Sequence, residues 1–264
     1  MSRDPIDFTK ARELATQTHL WHGNYGAGKT TLLGDMLKHE SSQGPVVFVN
    51  MRGEDGYLSI VDLKATTGDR LIIADTVNDV DDLVDNPTNP VKGLLVDAKK
   101  LGARAIGIDG WHRLYPLVYR KRLGSDRLPE VKQNSSGNEW SDVHKYANDI
   151  IDSLRRYAPI VVCTSATDRS TDQLTGKISN TPDFPGRQAA GIAGRFDFVF
   201  YLDYQVLGEN KIRRTLQTAP TDRMICRARL PRPLPATIEI PANGGGWKIL
   251  QAEIQKCLKA PDGR

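Results

Sequence analysis

The sequence predicts an α/β fold: a mostly parallel twisted sheet with helices on both faces and antiparallel edge strands toward the C-terminus. Three observations carry this expectation. A glycine-rich loop stands between a short apolar strand and an amphipathic helix. Continuous apolar runs then alternate with helical stretches as far as residue 165. After Gly194, strand candidates follow one another without long helices between them. Strand and helix units that alternate at this length build parallel sheets. Right-handed crossovers bring the loops that follow the strands to one edge.

The loop is the most specific feature. Gly23, Asn24, Tyr25, Gly26, Ala27, Gly28, Lys29 and Thr30 match G-x-x-x-x-G-K-[ST], with Thr31 completing the run. Glycines let the backbone approach a phosphate with no Cβ in the way. Successive N–H groups then form an anion nest at a helix N-terminus. Lys29 is expected to reach the terminal phosphates, and the Thr30 hydroxyl to join Mg²⁺. His19 to His22 reads as the preceding strand. Thr31 to His39 reads as the following helix, with Leu32, Leu33, Met36 and Leu37 on one stripe.

The other elements follow in order. Residues 1–16 form a polar lead with one helical turn around Phe8 to Leu14, and residues 17–264 a single domain. Val46 to Met51, Leu71 to Ala74 and Arg104 to Asp109 read as buried parallel strands. Val91 to Leu101 has helical spacing, weakened by Gly93. Asn138 to Tyr157 is a long helix with Val143, Tyr146, Ile150, Ile151 and Leu154 on one face, and Pro159 to Thr164 is the next strand. Phe196–Leu202, Ile212–Thr218, Arg223–Ala228 and Thr237–Ile240 are the late strands. Trp247 to Leu258 closes the chain as a short strand or helix.

Several residues carry candidate chemistry. Asp109 ends an apolar strand, where a carboxylate would hold Mg²⁺. Glu54, just past the second strand, is the candidate to orient an attacking water. Thr164 ends its strand as a polar group for the γ-phosphate. Trp111-His112, which follows Asp109, reads as packing first and as shaping the site second.

Two long loops are expected to leave the same sheet edge. The first, His112 to Asn138, holds Arg113, Arg120, Lys121, Arg122, Arg127 and Lys132 against Asp126 and Glu130 in its first 22 residues. The second, Ala166 to Arg187, holds Arg169, Lys177 and Arg187, with Phe184 among them. Basic side chains interleaved with aromatics suit single-stranded DNA, by phosphate neutralisation and base stacking. A third basic stretch, Lys211 to Pro233, has seven basic residues and one acid. Its Arg227-Ala228-Arg229 presents two guanidiniums on one strand face, toward nucleic acid or a neighbouring subunit's nucleotide.

Composition sets the remaining bounds. The 264 residues are 39% hydrophobic and 26% charged, with a net charge of +4, as in an ordinary soluble chain. No run of eighteen apolar residues suggests a membrane span, and the first residues are too polar for a signal peptide. Cys163, Cys226 and Cys257 lie far apart, which suits a reduced cytoplasm and argues against disulfides or a zinc knuckle.

The sequence resembles the RecA-like P-loop ATPases. More narrowly, it looks like the phage-encoded nucleotide-binding proteins that include RecA-type single-strand annealing proteins. The resemblance rests on GNYGAGKTT at 23–31, AIGID at 105–109, the Trp140 to Tyr157 helix, IVVCTSA at 160–166 and PGRQAAGIAGRFDFVFYL at 185–202, and spans roughly residues 17–241. It implies ATP and Mg²⁺ as ligands, single-stranded DNA as partner, and recombination, annealing or replication as the process. It also implies a phage- or bacteria-encoded protein in the host cytoplasm, assembled as a ring or filament with nucleotide between subunits. Arg227 and Arg229 would then serve a neighbour's nucleotide. One departure is Arg52, which stands where the RecA pattern has its catalytic Glu and implies slow hydrolysis. A helicase-like hexameric motor and a small-molecule phosphotransferase stay open as alternatives. The second lacks a compact lid with paired arginines.

Overall fold

The strand β1 (Gln17–Gly23) is buried at every residue and occupies the middle of the sheet. The computed structural model describes residues 16–54, 56, 60–74, 76–125, 139–171, 178–185, 189–208 and 212–259. The expected helical turn at Phe8 to Leu14 lies outside them. Among the described residues, nine strands form one sheet. Its parallel part runs β8 (Phe198–Val206), β1, β5 (Ile160–Ser165), β4 (Ala105–Asp109), β2 (Val46–Asn50), β3 (Leu71–Ile73). Antiparallel pairing then adds β9 (Ile212–Gln217) to β8 and β11 (Thr237–Ile240) to β9, while β10 (Arg227–Ala228) pairs with β8. The expected mixed sheet with late antiparallel edge strands is therefore present.

Each central strand divides its side chains between two cores, as a period of two requires. Leu20, Val47, Val49, Ile106, Ile108, Val161 and Cys163 face one side. There they meet α4 (Leu94–Lys100), α5 (Leu114–Leu123), α6 (Glu139–Ser153) and α7 (Ala189–Ala193). Trp21, Val46, Phe48, Ala105, Ile160 and Val162 face the other, against α1 (Lys29–Glu40) and α8 (Gly246–Leu258). The Leu32, Leu33, Met36 and Leu37 stripe of α1 is fully in this second core. Trp247 of α8 lies 5.9 Å from Trp21, ring to ring, and donates its Nε1–H to buried Glu40 at 2.8 Å. Asp35 of α1 accepts the Gly245 and Trp247 N–H groups at 2.9 and 2.8 Å, which satisfies the start of α8. The closing segment is thus helical.

The short helices α2 (Leu63–Thr67) and α3 (Val80–Leu83) fill the crossovers on either side of β3. Gly93 does not interrupt a helix; at φ +117° it precedes α4. No helix among the described residues is long and apolar enough to cross a membrane.

Two expected loops are regular structure instead. A 3₁₀ turn (Trp111–Arg113) leads directly into α5, so Arg120, Lys121 and Arg122 sit in the last turn of a helix. Pro116 is tolerated because the first turn makes no use of its missing N–H. The segment after β5 is a hairpin of β6 (Thr167–Thr171) and β7 (Ile178–Pro182), paired in register from Thr167↔Pro182 to Thr171↔Ile178.

Candidate functional site

The C-terminal ends of β1, β4 and β5 open onto one cleft, lined at its centre by Gly28, Lys29, Thr30, Glu54, Asp109 and Thr164. The loop geometry follows from its glycines. Gly26 and Gly28 sit at φ +77° and +94°, a backbone region that side chains disfavour. A Cβ on Gly28 would also lie 2.8 Å from Arg214 Nε. The loop then enters α1, so its free N–H groups and the positive end of the helix face the cleft.

Lys29 curls over this loop. Its Nζ donates to the Gly23 and Asn24 carbonyls at 2.8 and 3.0 Å. Burial pushes the Lys29 ammonium below its usual pKa, while Asp109 and Glu54 act against that shift. Tyr25 is exposed, with Nζ 5.8 Å from its ring centre.

Asp109 is the hub of the site. Its Oδ2 accepts the Thr30 hydroxyl at 2.9 Å, and its Oδ1 accepts the Thr164 hydroxyl. Thr164 Oγ in turn accepts the Gly110 N–H at 3.1 Å. Burial raises the Asp109 carboxyl pKa, and the two hydroxyls partly reverse this. A hydroxyl beside a carboxylate at the loop is the donor set that Mg²⁺ uses with a nucleotide.

Glu54 reaches the same cleft from the loop after β2. The Asn50 amide donates to its carbonyl, and Glu54 N–H donates to Met51 O at 3.1 Å. Its Oε1 lies 3.3 Å from His112 Nε2 and 3.4 Å from Arg113 Nε. The His112 contact is the largest cause holding the Glu54 carboxyl below the usual range, with Arg113 adding to it. His112 Nδ1 lies 3.3 Å from the Ala166 N–H, which can only donate, so the ring proton belongs on Nε2, facing Glu54. Gly110 permits the approach: it sits at φ +85°, and a Cβ there would stand 2.3 Å from Glu54 Cγ. His112 therefore belongs to the site, the reading that its sequence had ranked below packing.

The other predicted residues fall elsewhere. Arg227, in β10, and Arg229, just beyond it, each donate to Gly194 O at 2.7 Å. Arg229 also lies 3.4 Å from Asp197 Oδ1. Arg227 pairs with Val199 near the start of β8, the sheet end opposite the phosphate loop, so neither arginine enters the cleft of its own chain. Lys121 pairs with Asp81, Arg120 donates to Asn78 O at 3.4 Å, and Arg122 lies 5.6 Å from the Tyr146 ring centre. Arg169 is exposed on β6, and its side chain makes no hydrogen bond or ion pair among the described residues. Arg127, Lys132, Lys177 and Arg187 lie outside the described residues.

The sequence reading missed Arg214, which lines the cleft beside Gly28. It had appeared only as one of seven basic residues in its stretch. Its Nε is buried with no hydrogen-bond partner among the described residues. An anion nest, a half-buried lysine, a hydroxyl beside a carboxylate and an unmatched guanidinium together fit a phosphorylated nucleotide with Mg²⁺.

No curated protein matches the sequence. Among solved structures, a KaiC-like protein of the hyperthermophilic archaeon Pyrococcus horikoshii is similar at 14% identity and a TM-score of 0.45, over 85% of this chain and 90% of that one. The flagellar accessory protein FlaH of Methanocaldococcus jannaschii is similar at 10% identity and a TM-score of 0.43, over 82% of this chain and 84% of that one. The model of the AAA_24 family, described as an AAA domain, matches residues 15–230, which include every strand of the sheet but β11. The chain belongs to the AAA_24 family of AAA domains and is a nucleotide-binding ATPase of that type.

Proposed function

We propose that the protein binds ATP with Mg²⁺ and uses nucleotide occupancy to control its grip on single-stranded DNA in recombination, annealing or replication. Lys29 and the loop N–H groups bind the phosphates. Thr30 and Asp109 hold Mg²⁺, which would screen phosphate charge. Glu54, oriented by His112 and Arg113, positions the attacking water. Thr164 fixes the Asp109 carboxylate and stands beside the terminal phosphate.

One observation carries the DNA reading. The β6–β7 hairpin bearing Arg169 starts immediately after Thr164, Ser165 and Ala166, which line the cleft. His22, at the end of β1, lies 3.1 Å from the Thr167 hydroxyl through its Nδ1. A change at the phosphates has a short path into the hairpin. Arg169 is the leading DNA contact in this reading, with Arg120, Lys121 and Arg122 of α5 as further candidates. Exposed Val206, Leu207 and Ile212 beside the β8–β9 turn support assembly as a ring or filament. Binding of labelled single- and double-stranded oligonucleotides tests the proposal. Preference for the single strand is expected, and equal binding of both forms or of neither would overturn it.

A further inference from the structure

Arg214 sits where the strand pairing carries it from a distant part of the sequence. On β9 it lies opposite Tyr204 of β8, two positions beyond Leu202, the partner of Gly23. That register brings it to the sheet edge from which the phosphate loop departs. Its Nε and Cδ would stand 2.8 and 3.0 Å from a Cβ on Gly28, so the side chain lies against the last glycine of the loop.

Its neighbours leave the guanidinium unmatched. Arg213, on the opposite face of β9, donates twice to Glu239 at 2.7 and 3.1 Å. The Arg214 side chain has no hydrogen bond or ion pair among the described residues, and its Nε is buried. A buried, charged donor without an acceptor is unfavourable, and a ligand oxygen would supply the acceptor.

Strand order says which part of the ligand this is. Asp109 ends β4 and Glu54 follows β2, both on one flank of β1, whereas Arg214 is on β9, on the other flank. The strands of Asp109 and Arg214 are roughly 19 Å apart at ~4.8 Å per strand. The phosphate loop lies between them. The carboxylate flank suits the reacting terminal phosphate, because it holds the candidates for metal and water. Arg214 faces the other end. It also lines a small adjoining hollow with Thr31, Asp35, Ile240 and Pro241, which leads away from both carboxylates.

We propose that Arg214 is a nucleotide-binding residue that grips the α-phosphate from within the same chain, at the point where ribose and base leave the cleft. A guanidinium fork matches two phosphate oxygens, a geometry that lysine does not reproduce. This inference rests on the nucleotide-binding reading of the cleft. Arg214 acts on any nucleotide with an α-phosphate and does not report the γ-phosphate.

Calorimetric titration with ADP and with a non-hydrolysable ATP analogue, both with Mg²⁺, tests it in wild type, Arg214→Gln and Arg214→Lys. Arg214→Gln should weaken both ligands by the same factor, about 10- to 100-fold. Arg214→Lys should weaken both by a smaller common factor. Unchanged affinities in Arg214→Gln, or a loss confined to the triphosphate analogue, would overturn the assignment. Wild type that binds neither nucleotide would instead overturn the reading beneath it. Melting temperature without nucleotide verifies that each variant is folded, and Arg214→Lys carries the test if Arg214→Gln is not.

Discussion

Thr30 donates its hydroxyl hydrogen to Asp109 at 2.9 Å although the two lie 79 positions apart in the chain. Parallel pairing of β1 with β5 and of β5 with β4 brings them together. Thr164, at the end of the strand between them, takes the other carboxylate oxygen. Asp109 is therefore clamped by two hydroxyls, and its position against the phosphate loop is set by the central sheet.

Lys29→Ala is expected to remove most nucleotide binding. In wild type, nucleotide at a hundredfold over its dissociation constant adds about 2.7 kcal/mol of stability. Thermal unfolding with and without ATP·Mg²⁺ should show this gain in wild type and not in the variant. A wild-type transition that does not move would count against the cleft.

Glu54→Gln is expected to keep nucleotide affinity while lowering turnover by ~10²-fold or more. Wild-type turnover without DNA should itself be slow, since Arg52 stands where the resemblance expects a carboxylate. The check is phosphate release at saturating ATP. Equal turnover in both proteins would exclude Glu54 as the group that orients water.

Much of this site was legible because its signals are local. The phosphate loop has a fixed glycine spacing, and Asp109 ends an apolar run. The errors arise where local pattern and tertiary contact diverge. In α5, Leu114, Tyr115, Leu117, Val118 and Tyr119 are all buried. Consecutive buried positions give no simple helical stripe, and Pro116 resembles a break. Four residues of β6 are exposed, so no alternation of apolar and polar residues marked the hairpin. Arg227 and Arg229 both reach Gly194 O, but the direction of β10 against β8 decides which sheet end they reach. Arg214 meets Gly28 only through the pairing of β9 with β8, a long-range event that leaves no local mark.

DNA binding should be salt-dependent. If about five phosphates are neutralised, the log–log slope should be near −3.5, at about −0.7 per phosphate for a single strand. Arg169→Ala should reduce its magnitude by ~0.7, and combined alanine substitution of Arg120, Lys121 and Arg122 by up to ~2. Anisotropy titrations across a salt series measure both. Slopes unchanged in both variants would put the DNA on another surface.

Stability should fall in mild acid. Burial lowers the pKa of His19 to about 3 and that of His22 to about 4. His22 Nε2 lies 2.9 Å from the Ile225 carbonyl, so this nitrogen is the donor. Both folded values lie below the unfolded value of 6.5. As pH drops below about 6.5, the unfolded chain takes up protons that the folded chain refuses. Stability is fully present above that pH and is lost toward pH 4, by up to ~1.4 kcal/mol per pH unit for each histidine. Urea unfolding at pH 7, 6 and 5 should show the decline, and His22→Gln should show a shallower one. Equal pH dependence in the variant would remove His22 from this account.

The most direct test of coupling between cleft and DNA is the affinity of a labelled single-stranded oligonucleotide at fixed salt, with and without ATP·Mg²⁺, in wild type and Lys29→Ala. The account predicts that ATP·Mg²⁺ tightens wild-type binding by roughly tenfold or more, within the usual range of linkage between two sites, and leaves Lys29→Ala unchanged. Identical DNA affinity with and without nucleotide, in wild-type protein shown to bind ATP, would contradict it.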